Sequence, residues 1–130
     1  MTTTRSQPRG GRGRVRLSRA QPRWRLAFVL SLLVQAVVLY APSGPPAGEL
    51  HGIDKLVHLG VFALPVAAGL LGGLPARWVV VPLALHAPVS ELVQHCFLPH
   101  RDGDVLDALA DLGGVGLGAL AAGLWRRPRG

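Results

Sequence analysis

The residues of this chain with the most chemistry in them fall in three short stretches. "IDKLVH" carries Asp54, Lys55 and His58. "SELVQH" carries Glu91, Gln94 and His95, and "HRDGDVLDALAD" carries Arg101, Asp104, Asp107 and Asp111. A carboxylate beside a histidine can serve as acid and base. Several together can hold a divalent ion through oxygen and nitrogen ligands. Lys55 and Arg101 suit a phosphate or a carboxylate, one as a point charge and the other as a planar fork. All three stretches border or enter long apolar runs. Ionisable groups at membrane depth are costly and usually face a protein interior or a water-filled cavity.

Spacing places these groups on helix faces. Glu91, Gln94 and His95 stand at i, i+3 and i+4 and should share a face. His86 and Ser90 extend that face to about half the circumference at ~100° per residue. Asp104, Asp107, Asp111, Gly114, Gly118 and Ala121 recur at alternating steps of three and four, a single stripe that is acidic at one end and small at the other. Gly114 and Gly118 form a G-x-x-x-G, the spacing that lets two membrane helices approach closely. Asp111 is the expensive member. A central aspartate costs ~2.5–3.5 kcal/mol on insertion scales, while the large apolar residues of its segment supply only about 2–4 kcal/mol between them. That segment therefore needs packing partners and a counter-charge, with Arg101, Lys55 or a histidine as candidates.

Four apolar segments are expected to position these residues: 24–41, 56–74, 78–98 and 105–125. Each lies within the length range of a membrane-spanning helix. Gln35 is the one strongly polar interior residue of the first. Pro65 is expected to kink the second segment, which a helical bundle tolerates, and His86, beside Pro88, could bond a freed backbone carbonyl. "PSGPPAGELHGI" should break any helix between the first two segments, and "PAR" should turn tightly before the third. The basic lead and first apolar run would also suit a signal peptide. The small-residue pair that cleavage requires is lacking, since Leu39 stands two before Ala41. The fold class expected is all-α: a polytopic membrane protein with four transmembrane helices and both termini cytoplasmic.

Composition agrees. Of 130 residues, 49% are hydrophobic and 16% charged, with mean hydropathy +0.35, values that favour a membrane protein over a soluble one. The formal net charge of +7 hides a segregation: eight arginines lie before or at the very start of the first apolar run, three follow the last, and every acid lies between. Residues 1–23 read as a disordered basic tail and 126–130 as a short basic one. "RGGRGRVR" has no aromatic residues on which bases could stack, so nucleic acid is not an expected partner. Cys96 is the only cysteine, so neither an intrachain disulfide nor a cysteine-based zinc site is possible. No metal or cofactor signature is present in the sequence.

Orientation follows from lysine and arginine counts. Cytoplasmic termini put twelve basic residues inside and leave only Lys55 and Arg101 outside. Trp24, Trp78 and Trp125 then fall at the inner ends of three segments as an interfacial belt, and Tyr40 marks the outer end of the first. Asp54, Lys55, His58, Glu91, Gln94, His95, Arg101, Asp104, Asp107 and Asp111 come to share the outer depth range.

The pattern Asp54-Lys55-x-x-His58, Glu91-x-x-Gln94, Arg101, Asp107 and Asp111, with Gly114 and Gly118, resembles that of the VanZ-like family of small bacterial membrane proteins. The resemblance covers roughly residues 25–125. It departs at Pro99-His100, where the family often has Pro-Gly before the arginine, and at Asp111, often an Asn there. The family takes its name from an accessory protein of glycopeptide resistance that lowers susceptibility to teicoplanin. The resemblance implies a cell-membrane protein of the bacterial envelope. The residues themselves imply a non-enzymatic site for a polar envelope or lipid-headgroup ligand, with the bilayer as partner and a homo-oligomer compatible. An intramembrane hydrolase or transferase acting on a lipid-linked substrate, and a proton-linked transporter, are the alternatives. A purely structural role, in which the charges lock four helices together, stands beside them.

Overall fold

The computed structural model describes residues 20–41, 51–98 and 104–127, apart from the side chains of Ala20 and His51. Among the described residues there are four helices and no strand: α1 (Ala20–Tyr40), α2 (His51–Leu71), α3 (Ala76–Phe97) and α4 (Val105–Trp125). Each is long and apolar enough to cross a membrane. A rise of 1.5 Å per residue makes such helices about 32 Å long, matching a hydrocarbon core of ~30 Å. The expected all-α, four-span architecture is therefore what the chain adopts.

The ends differ from expectation for local reasons. α1 starts at Ala20 rather than 24 because Pro22 is tolerated in a first helical turn, where its missing N–H costs nothing. α2 starts at His51 rather than 56, so the helix-breaking segment ends before "HGI". Asp54 then lies in its first turn, where a carboxylate meets the positive end of the helix dipole. α2 stops at Leu71 rather than 74. Gly73 adopts a left-handed φ of 81°, and the Gly72, Gly73 and Leu74 amides fold back onto Ala68, Leu70 and Gly69 carbonyls at 2.8, 2.9 and 3.1 Å. Arg25 Nε donates to the Gly72 carbonyl at 3.1 Å and ties α1 to this turn. At the start of α4, Asp104 is the N-cap, its Oδ1 accepting from the Leu106 amide at 2.9 Å, the usual way a short polar side chain satisfies a free helix-end donor.

α2 is central and touches the other three helices, while α4 lies along it over its length. The reason is the glycine stripe. Gly114 sits on the Leu59 carbonyl oxygen and Gly118 on that of Ala63, so closely that a Cβ at either would collide with backbone. The buried core is Leu39, Val61, Phe62, Val66, Leu70, Val79, Leu83, Ala87, Val115 and Ala122. The small stripe thus ends at buried Ala122, and Ala121 is exposed. Leu26, Leu30, Leu33, Val37, Leu85, Leu92, Leu109 and Leu120 point outward, an apolar surface far larger than a soluble monomer carries. The fold is that of a multi-pass membrane protein. Trp24 and Trp125 meet edge-on, ring centroids 6.5 Å apart, at the end of the bundle where α1 begins and α4 finishes.

Candidate polar site

At the opposite end, α2, α3 and α4 bring their ionisable residues together in two layers. In the outer layer Lys55 of α2 reaches across to α4. Its Nζ lies 3.1 Å from Asp104 Oδ2 and 2.8 Å from Asp107 Oδ1. One turn further in, His58 Nδ1 lies 2.9 Å from Asp111 Oδ1 and 3.6 Å from Glu91 Oε1. Its Nε2 faces Asp54 Oδ1 at 4.0 Å. α3 is joined through Glu91, whose Oε2 accepts from the Asp104 amide at 3.0 Å and whose Oε1 stands 3.5 Å from Gln94 Nε2. The loop-side end of α4 is thereby pinned to α3 as well as to α2.

His58, Glu91, Gln94, Asp107 and Asp111 are all buried, Asp111 completely. The structure therefore gathers Asp54, Lys55, His58, Glu91, Gln94, Asp104, Asp107 and Asp111 as the sequence spacing suggests. One carboxylate atom stands out. Asp111 Oδ2 is buried with no hydrogen-bond partner among the described residues. Buried polar atoms are almost always satisfied, and an ionised oxygen left alone at this depth is expensive.

One expected member does not join. His95 is exposed and lies outside the cluster. At ~100° per residue, Gln94 and Ser90 lie to one side of Glu91 and His95 lies ~40° to the other, turned away from the bundle axis. Arg101, like His100, lies outside the described residues. His86 makes a different contact from the backbone carbonyl suggested for it: its Nε2 is 2.7 Å from the Tyr40 hydroxyl, and its ring lies 5.6 Å from that of Phe62. Tyr40, read from sequence as an interfacial marker, is thus a link between α1 and α3. No spacing rule relates two residues on separate helices, so only their shared outer position could have hinted at it. Between these same two helices runs a groove of about 400 Å³, lined by Phe28, Leu32, Gln35, Tyr40, Leu83 and His86. The Gln35 amide nitrogen is buried there with no hydrogen-bond partner among the described residues.

Chemically, the inner layer can share protons between one imidazole and two carboxylates, accept a cation, or orient an anion carried by Lys55. No protein-family model, curated protein or solved structure matches the chain.

Proposed function

We propose that this chain is a VanZ-like envelope protein whose polar end faces the cell exterior and binds a phosphate- or carboxylate-bearing headgroup, without itself catalysing a reaction. The observation that carries the reading is the convergence of three helices on Lys55, His58, Glu91, Asp107 and Asp111 at one end of an otherwise apolar bundle. Structural locking alone does not require an unpartnered, fully buried Asp111 oxygen, and such groups in membrane helices mark binding or transport sites. The lysine and arginine asymmetry supports termini on the cytoplasmic side, with Lys55 and Arg101 outside. The resemblance in Asp54, Lys55, His58, Glu91, Gln94 and Asp107 supports a link to glycopeptide susceptibility.

A proton-linked transporter is less well supported. Below Asp111 the α2–α4 seam is closed by Gly114, Val115, Gly118, Ala122 and Val66, which offer no relay. The test is susceptibility profiling of a deletion strain against cell-wall inhibitors, complemented with wild type, Lys55→Gln, Glu91→Gln and Asp111→Asn. The reading expects the variants to reach the membrane but not to restore the wild-type profile. Full restoration by all three removes it.

A further inference from the structure

His58, Glu91 and Asp111 present three donor atoms that lie within 4.8 Å of one another, all on buried residues. The sequence alone had suggested a carboxylate set including Asp107. Asp107 also falls within 4.8 Å of His58, in a second trio with Asp54, but its Oδ1 is engaged at 2.8 Å by Lys55. What remains is one imidazole nitrogen and two carboxylates from three different helices. We propose that these three residues form a binding site for a single divalent transition-metal ion, with zinc the best-fitting chemistry.

The geometry suits such an ion. Ligands 2.0–2.1 Å from a tetrahedral centre stand about 3.3 Å from each other. His58 Nδ1 lies 2.9 Å from Asp111 Oδ1 and 3.6 Å from Glu91 Oε1, on either side of that value. Asp111 supplies the independent sign. Its Oδ2 is sealed from solvent and bonded to nothing among the described residues, and a cation beside this carboxylate would neutralise it. The nitrogen ligand decides the metal class. Calcium and magnesium prefer all-oxygen sets, while imidazole with carboxylates suits zinc and its first-row neighbours.

The surroundings support the ligands in part. The ring of His58 turns Nδ1 to the site and Nε2 to the Asp54 side, 4.0 Å from its Oδ1, longer than the hydrogen bond that usually orients a metal-binding imidazole. Glu91 is steadied through Oε2 by the Asp104 amide at 3.0 Å, and its Oε1, which would ligate the ion, keeps only a long 3.5 Å contact from Gln94 Nε2. Three protein ligands leave a fourth position for water or an anion, where an oxygen of the headgroup could bind. In that last step the inference rests on the headgroup reading above. Metal binding itself does not, so the two can fail separately.

The experiment uses the full chain purified in detergent, stripped with chelator, equilibrated with buffered free zinc and desalted. Metal is then measured by mass spectrometry. Wild type and His95→Gln should retain about one zinc per chain, while His58→Gln and Asp111→Asn should retain less than about a tenth of that. Zinc at background in wild type, or equal zinc in wild type and a helical, monodisperse Asp111→Asn, overturns the site. If the variants do not fold, cobalt loaded into wild type decides. Visible d–d bands of low-coordinate cobalt with nitrogen and oxygen ligands uphold the proposal, and their absence at full loading refutes it.

Discussion

Alanine at Gly114 and Gly118 probes the joint on which the polar site depends. A Cβ on Gly114 runs into the Leu59 carbonyl oxygen and comes within 3.0 Å of the Leu59 carbonyl carbon and of Phe62 Cβ. One on Gly118 runs into the Ala63 carbonyl oxygen and comes within 2.9 Å of Val66 Cβ. None of these atoms can swing aside on a rotamer, so α2 and α4 must part, by roughly 1 Å at each point. A gap of that size forfeits a quarter to a half of each dispersion contact along the seam, and overpacking of this kind costs ~1–3 kcal/mol per site. The sites are one turn apart, so the separation forced by the first partly relieves the second. The double variant should lose about 2–4 kcal/mol, less than the sum. Gly113 and Gly116 are the internal control, since a Cβ there meets nothing within 4 Å. Alanine at both should be neutral or add up to ~2 kcal/mol through helix propensity. Equilibrium unfolding in mixed micelles, followed by circular dichroism, measures both pairs. A Gly114/Gly118 double variant within ~0.5 kcal/mol of wild type, or a control pair equally destabilised, refutes the packing argument. The site should suffer too. His58 adjoins Leu59 and Asp111 lies one turn before Gly114, so parting the helices lengthens the 2.9 Å His58–Asp111 bond.

Tyr40→Phe removes the hydroxyl 2.7 Å from His86 Nε2 and should cost about 1 kcal/mol in the same unfolding assay, with no further loss when His86 is also replaced by Phe; equal and additive losses would mean the two do not interact. Gln35→Leu replaces a buried, unpartnered amide nitrogen with an apolar group of similar size and should stabilise by about 1 kcal/mol; a loss of stability would mean that the amide is satisfied in the membrane. With Cys96 replaced by Ala, single cysteines at Lys55 and at the exposed Ala76 should react with impermeant maleimide in whole cells only at position 55; labelling at 76 alone reverses the orientation.

Much of the fold was legible in the sequence because lipid imposes a one-dimensional code. Any stretch of about twenty apolar residues must satisfy its backbone internally and so becomes a helix, and all four were found within a few residues of their expected bounds. The larger errors came at ends where local chemistry overrides hydropathy, as where α2 takes in His51 to Lys55 and so places Asp54 and His58 one turn apart on the same helix. The acidic stripe and the G-x-x-x-G of α4 were equally legible, because every step between Asp104 and Gly118 lies within one element and obeys one period.

What periodicity could not supply was the identity of partners across helices. Sequence alone determined that Lys55, His58, Glu91 and the aspartates of α4 lie toward one end, and that one face of α4 is small. Only the tertiary structure decided that Lys55 takes Asp104 and Asp107, that His58 takes Asp111 and Glu91, that Tyr40 takes His86, and that His95 turns outward. Depth along a span is a count of residues at 1.5 Å each, whereas the rotation of each helix and its choice of neighbour are set by how closely backbones can approach. In this bundle that choice is made by the glycines of α4 resting on the carbonyls of α2.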